Sequence, residues 1–206
     1  MKKPVATPRG PGRRRPTVPR WLPLETERLI LRDVREDDFD DVHEYATDLE
    51  VVRYMNWGPN TPEITRQVLD GWLKDQRRWP RPVVNMAAHH KTDGRMIGAV
   101  RFAILDAESG TGDFGYSFNR AYWNQGLGAE AAGAVVRNAF ETLGLRRMIA
   151  TCDARNIGSW RVMEKLGMRR EALFRQDAKA HDGWRDSYLY AILADEWAAA
   201  RAENQP

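Results

Sequence analysis

Apolar positions along the chain switch between a period of two and a period of about 3.6, and the switches delimit the elements. Arg28 to Val34 (RLILRDV) reads as a first strand and Glu36 to Thr47 as a helix. A second helix opens at Thr61-Pro62-Glu63. Threonine there suits the cap, proline the first helical position and glutamate the positive end of the helix dipole. The pattern carries this helix to about Trp79. Val83 to His90 and Met96 to Leu105 read as strands joined across Asp93-Gly94, a residue pair suited to a tight hairpin turn. Gly112 to Phe118 then alternates Phe114, Tyr116 and Phe118 against Asp113, Gly115 and Ser117, which makes a third strand of the meander. Arg147 to Asp153 is a further strand and Asn156 to Leu166 a short helix. Two strands flank Asp182-Gly183, and a helical end follows near Ala194 to Ala202. The chain contains no internal repeat.

Between the meander and the strand at Arg147 lies Trp123-Asn124-Gln125-Gly126-Leu127-Gly128-Ala129-Glu130, a glycine-spaced turn that runs directly into a helical pattern. Past Gly128 the positions Ala129, Ala132, Gly133, Val136, Phe140 and Leu143 recur on one helix face, and Gly144 with the apolar Leu145 after it suits a left-handed helix end. The turn therefore sits at a helix N-terminus. Unpaired backbone N–H groups and the positive end of the helix dipole converge there, an arrangement that favours a bound phosphate.

Composition narrows the setting. A chain of 206 residues with 42% hydrophobic and 30% charged content fits an ordinary soluble domain with a real core, and no apolar run approaches the roughly 20 residues a membrane span needs. The single cysteine, Cys152, allows neither an internal disulfide nor a cysteine-rich metal site, and it reads as a small buried strand residue. These features point to a cytoplasmic protein. The formal charge of +3 is unevenly spread. Residues 1–20 carry Lys2, Lys3, Arg9, Arg13, Arg14, Arg15 and Arg20 with no acid, a charge of +7; removing those seven from 32 basic residues leaves 25 against 29 acidic, or −4. Five prolines and two glycines share that segment, so residues 1–20 are expected to be a disordered basic tail and residues 21–206 a single domain. The tail offers at most weak, charge-driven contact with nucleic acid. The histidines do not compose a metal site: His89-His90 is a strand doublet pointing to opposite faces, and His43 and His181 stand apart.

The order of elements tests the phosphate reading. A dinucleotide fold places its glycine turn near the start of a repeating strand-helix series, whereas here antiparallel strands come first. A P-loop requires Gly-Lys-Ser or Gly-Lys-Thr, and the chain has Gly-Ala-Glu.

The turn at Trp123 to Ala132, the strand ending at Asp153 and the run Asn156-Ile157-Gly158-Ser159-Trp160-Arg161-Val162-Met163-Glu164-Lys165-Leu166-Gly167-Met168 together resemble the GNAT superfamily of acyl-CoA-dependent N-acyltransferases. The branch most resembled contains the ribosomal-protein N-terminal (Rim-type) acetyltransferases. The resemblance covers most of residues 24–194, including Glu27-Arg28-Leu29-Ile30-Leu31-Arg32 and Trp184-Arg185-Asp186-Ser187-Tyr188-Leu189-Tyr190. It implies a mixed α/β fold, with a strongly twisted, mostly antiparallel sheet flanked by helices and acyl-CoA held in a splay between the fourth and fifth strands. It also implies acetyl-CoA as cosubstrate, without a metal, and direct transfer of the acetyl group to a primary amine.

Amide formation from a thioester needs a grip on the coenzyme pyrophosphate, a donor for the carbonyl oxyanion, a route for the amine's proton and a proton for the leaving thiolate. Backbone N–H groups of Gln125, Gly126, Leu127, Gly128 and Ala129 are the candidate pyrophosphate cradle. The resemblance implies an oxyanion donor from the backbone of Gly115 to Phe118. Asp113, on the strand matching the family's acidic position, is the candidate for proton removal through water; a merely solvated carboxylate is its plain alternative. Glu130 matches a frequent family residue and equally suits the helix dipole. Asn156 is an ideal N-cap, and the resemblance adds contact with the pantetheine arm. Many superfamily members carry a tyrosine near Met163 as the proposed acid, a role a thioether cannot fill. Ser159 matches the serine of the Rim-type branch and is the candidate group at the leaving thiolate, beside the alternative of a local helix hydrogen bond. The resemblance places the acceptor pocket along Val51 to Trp79, with Tyr54, Trp57 and Trp72 as candidate lining; core packing would account for any one of these aromatics equally well. The acceptor is a peptide or protein N-terminus or a small amine, and the protein a monomer or homodimer. A succinyl-CoA donor and a non-catalytic CoA-binding or interaction protein are the alternatives.

Overall fold

The computed structural model describes residues 21–78, 81, 83–180 and 182–203. The basic tail at 1–20, Trp79 and His181 lie outside the described residues.

Among the described residues eight strands form one sheet in the order β1-β2-β3-β4-β5-β6-β8-β7. They are β1 (Leu24–Glu25), β2 (Leu29–Asp33), β3 (Val83–His90), β4 (Arg95–Asp106), β5 (Thr111–Phe118), β6 (Arg147–Asp153), β7 (Arg169–Ala180) and β8 (Gly183–Leu193). The helices are α1 (Phe39–Thr47), α2 (Leu49–Val52), α3 (Pro62–Gln76), α4 (Leu127–Glu141), α5 (Ile157–Lys165) and α6 (Ala194–Glu203). Every strand pairing is antiparallel except β5 with β6, which is parallel and bridged by the crossover through α4. This is the mixed, mostly antiparallel fold that the family resemblance implied. The splaying strands are the fifth and sixth in chain order, because the two-residue β1 precedes the strand with which the sequence count began.

Where the elements differ from expectation, specific contacts explain it. The stretch from Glu36 to Thr47 opens as a 3-10 turn at Glu36–Asp38 before α1 begins. Asp38, only 3% exposed, is drawn to Arg32 at 2.8 and 2.7 Å and to the Arg35 amide at 2.7 Å. Those fixed bonds hold the first turn tighter than an α-helix. The short α2 was not foreseen; Asp48 caps it by accepting from the Glu50 amide at 2.9 Å. In α3, Thr61 accepts from Ile64 N–H and Pro62 occupies the first position, as its sequence implies, but the helix ends at Gln76.

Helix α4 buries a broader and slightly rotated face. Leu127, Ala131, Ala132, Val135, Val136 and Ala139 are at most 1% exposed against the sheet, and burying a valine or leucine completely stabilises by about 1.5–3 kcal/mol. Gly133, Phe140 and Leu143 are only partly buried. They lie to the side, where Leu166, just past the end of α5, approaches Gly133 and Trp197 of α6 packs on Phe140. A helix covered by a sheet on one side and helices on another has no single narrow apolar stripe. Its end is as expected: Gly144 has φ +64°, and Leu145, 4% exposed, returns its N–H to the Ala139 carbonyl. Two cores result. One lies between the sheet and α4, and the other packs α1–α3 on Ala87 and Met96 across the opposite face.

Candidate active site

The parallel pairing of β5 and β6 spans only Thr111–Asp113 against Arg147–Ile149. Beyond it the strands diverge, so the facing backbone edges of Phe114 to Ser117 and of Ala150 to Asp153 have no strand partner across the gap. The gap opens into a cavity of about 690 Å³, within the range of small-molecule sites. Its lining includes Phe114 and Cys152 from the α4 face of the sheet and Gly115, Ser117 and Thr151 from the other. The cavity therefore passes between the strands, and the parallel crossover creates that passage.

At the outer mouth stands the glycine turn. Asn124 and Gly126 both have positive φ, +59° and +79°. The first hydrogen bond of α4 runs from Glu130 N–H to the Gly126 carbonyl, so among the described residues the amides of Leu127, Gly128 and Ala129 donate to no backbone acceptor. A Cβ on Gly128 would touch the Tyr116 ring at 3.5 Å, which places the turn directly against β5. Gln125 to Ala129 do not themselves line the cavity. The orphan amides and the open strand edges suit an anion joined to an extended amide-bearing chain, the chemistry of a coenzyme A diphosphate and its pantetheine arm.

Glu130 fixes this turn, a role the sequence did not reveal. Its carboxylate accepts from the Thr26 hydroxyl at 2.6 Å, the Arg28 amide at 2.8 Å and Arg28 Nε at 2.7 Å, while Arg28 Nη1 donates to the Gln125 carbonyl at 2.9 Å. Burial alone would raise the Glu130 pKa, but these donors outweigh it and hold the group below the ordinary carboxylate value. About a hundred residues separate the partners, and no local signal links them.

Helix α5 borders the passage on its far side. Asn156 caps it through Oδ1, accepting from the Ser159 amide at 3.1 Å, and both residues line the cavity. The partly buried Tyr116 hydroxyl donates to the Ser159 carbonyl at 3.4 Å, and Ser159 lies close enough to Cys152 to influence its thiol. Burial pushes the Tyr116 pKa well above its usual value and the Cys152 thiol up to about 11, although Ser159 opposes the latter shift. Tyr116 and Ser159 are thus protonated hydroxyls at the passage. Met163 lines the same wall. Tyr116 was legible only as an alternating strand residue.

Tyr54, Trp57 and Trp72 all line the cavity, on the wall built by α1, α3 and the loop at 54–60. Asp113 does not line it. Its carboxylate oxygens accept from Arg101 Nη1 at 3.0 and 2.8 Å, and Arg101 does reach the cavity. Asp153, 1% exposed at the end of β6, is the carboxylate that lines the wall. Burial would raise its pKa, but Arg155 donates from its backbone N, Nε and Nη2 at 2.9, 3.0 and 2.8 Å and holds it low. On the same side of the gap, on β8, Arg185 donates from Nη1 to the Tyr54 carbonyl at 2.8 Å. Among the described residues no group of three or more potential ligands is placed to hold a metal, and His43 instead bonds Thr65 at 2.9 Å. No helix among them is long and apolar enough to cross a membrane.

Comparison with known proteins agrees with this geometry. The family model for the acetyltransferase (GNAT) domain matches residues 28–169. The chain is 35% identical over 174 residues to the uncharacterized N-acetyltransferase YnaD of Bacillus subtilis (strain 168), covering 84% of this chain and 98% of that one. It is 23% identical over 144 residues to the ribosomal-protein-serine acetyltransferase of Escherichia coli (strain K12), covering 60% of this chain and 80% of the relative. A GNAT-family acetyltransferase structure from Bacillus anthracis superposes with a TM-score of 0.75 at 34% identity, covering 84% of this chain and 99% of that one. Both the parallel crossover that opens the sheet and the sequence relationships lead to one conclusion: the chain belongs to the GNAT family of acyl-CoA-dependent N-acetyltransferases.

Proposed function

We propose that this protein transfers the acetyl group of acetyl-CoA directly to a primary amine bound in the cavity between α1, α3 and the open edges of β5 and β6. The observation that carries the reading is the continuity of orphan helix amides, splayed strand edges and a cavity that passes through the sheet. The amides of Gln125 to Ala129 hold the pyrophosphate, with Gly126 supplying the left-handed corner. The strand edges and Asn156 take the amides of the pantetheine arm. A backbone N–H from Gly115 to Phe118 stabilises the oxyanion as the amine attacks the thioester carbonyl. Ser159, with the Tyr116 hydroxyl close by, hydrogen-bonds the departing thiolate and relays to it the proton that the attacking amine gives up through water. Asp113 holds Arg101 in place on the wall, and the proton of the attacking amine leaves through water.

The acceptor reading includes peptide N-termini, because a ribosomal-protein acetyltransferase is among the relatives, and small amines, because the cavity is of small-molecule size. Incubation with acetyl-CoA or succinyl-CoA and a panel of peptides, amino acids and polyamines, followed by free CoA and product mass, tests the proposal. Amine-dependent CoA release with acetyl-CoA is expected. Tight acetyl-CoA binding with no amine-dependent release from any donor would defeat it.

A further inference from the structure

Charge on the cavity wall is distributed in a way that acetyl transfer alone does not explain. Strand register places Asp113 opposite Ala103 and beside Ile149, Arg101 opposite Gly115, Ile149 opposite Ala191 and Asp153 opposite Ser187. Because side chains alternate along a strand, Arg101 on one side of the splay and Asp153, Ser187 and Arg185 on the other share a single face of the sheet, the face away from α4. Among the described residues three charged side chains line the cavity, those of Arg101, Asp153 and Arg185. Arg155 already takes up the charge of Asp153 through three hydrogen bonds.

Arg185 differs from every other cation described. Each remaining lysine or arginine among the described residues is either exposed or has a carboxylate within 4.0 Å; Arg185 is neither exposed nor so paired. Its Nη1 is held by the Tyr54 carbonyl, which fixes the head against the acceptor loop, while its Nε is buried without an acceptor. Among the described residues the hydroxyl of Ser187, on the same face and 2% exposed, also lacks a partner, but Ser187 does not line the cavity. Arg185 helps to keep Asp153 ionised but touches no carboxylate itself, and a carboxylate is the group its planar fork matches best.

We infer that the acceptor is an amine that also carries a carboxylate, gripped by Arg185 while Arg101 faces it from the opposite wall. The inference rests on the acetyl-transfer reading and specifies its substrate class. It disfavours polyamines and aminoglycosides, whose cations would meet two guanidiniums. The carboxylate belongs either to a free amino acid or to an acidic side chain near a peptide N-terminus.

With acetyl-CoA as donor, kcat/KM is measured for free amino acids against their carboxamides, and for C-terminally amidated peptides with Asp or Glu against Asn or Gln at the second position. The wild-type protein is expected to prefer the acid by about 10-fold or more in one of the two series, and the series that shows it identifies the source. Arg185→Gln should reduce that preference to less than about 3-fold, chiefly through KM, and Arg185→Lys should restore part of it. Each ratio is taken within one protein, so a smaller folded fraction cancels. Equal use of acid and amide by the wild type, a preference that survives in Arg185→Gln, or turnover confined to polyamines would overturn the inference and leave acetyl transfer standing. Failure to bind acetyl-CoA or to release CoA with any amine would instead strike the acetyl-transfer reading itself.

Discussion

Replacing Glu130 with alanine removes one side chain and should be felt both in stability and at the coenzyme site. The carboxylate serves Thr26, the Arg28 amide and the Arg28 guanidinium, the last as an ion pair at 2.6 Å with side chains 40% and 15% exposed. Orphaning a partly buried amide costs about 1–2 kcal/mol. The Thr26 hydroxyl retains the Leu29 carbonyl at 3.2 Å, so its loss is smaller, about 0.5 kcal/mol. The ion pair, discounted for its exposure, adds at most about 1 kcal/mol. The sum of roughly 2–3 kcal/mol corresponds to a fall in melting temperature of roughly 5–10 °C for a domain of this size. Arg28, released from Glu130, also loosens its hold on the Gln125 carbonyl, and acetyl-CoA affinity should fall about 10-fold. Glu130→Gln keeps one acceptor oxygen and should lose about half as much stability. Because the folded pKa of Glu130 is depressed, its contribution is complete above the ordinary glutamate value near 4.5 and is lost as the pH falls below it; the gap between wild type and Glu130→Ala should close on acidification. Differential scanning calorimetry from pH 3 to 8 and titration calorimetry with acetyl-CoA measure both effects. A Glu130→Ala protein that melts within 1 °C of wild type at pH 7 and binds acetyl-CoA equally well would refute the clamp.

Four further substitutions separate the parts of the site. Gly126→Val places a β-branched residue at φ +79° and should cost about 1–3 kcal/mol, with a large loss of acetyl-CoA affinity in a chain that still folds; unchanged affinity would dismiss the cradle. Ser159→Ala should lower kcat about 10-fold with little change in acetyl-CoA affinity, and Tyr116→Phe combined with it should cost less than the two singles multiplied, since the groups share one environment. Equal rates in Ser159→Ala and wild type would remove the proton role. With its thiol pushed up to about 11, Cys152 is about one part in a thousand thiolate at pH 8, so iodoacetamide should modify it slowly and Cys152→Ala should turn over. Rapid alkylation, or inactivity of a folded Cys152→Ala, would point to acyl transfer through the thiol instead.

Local chemistry made much of the site readable in advance. The turn at Trp123 to Glu130 could be placed at a helix start because glycine spacing and apolar period lie next to each other in the chain. Asn156 could be named a cap because capping is decided within four residues. The boundaries of β3 and β6 coincide with their apolar runs for the same reason. Asp113 shows the limit: its strand position was correct, but its engagement by Arg101, twelve residues away on β4, depends on antiparallel register. Glu130 offered only a dipole role, because Thr26 and Arg28 reach it through the packing of α4 beside β2.

The sequence by itself determined most of the elements, their order and the glycine turn that opens α4, since propensity, capping and glycine conformations act over a few residues. Tertiary structure alone decided that β5 leaves β6 after three paired residues, that Tyr116 and Cys152 meet Ser159, and that Arg101 and Arg185 confront one cavity from opposite sides. Those relations join strands distant in sequence, and register and side-chain alternation, which local propensity does not encode, fix which groups share a face.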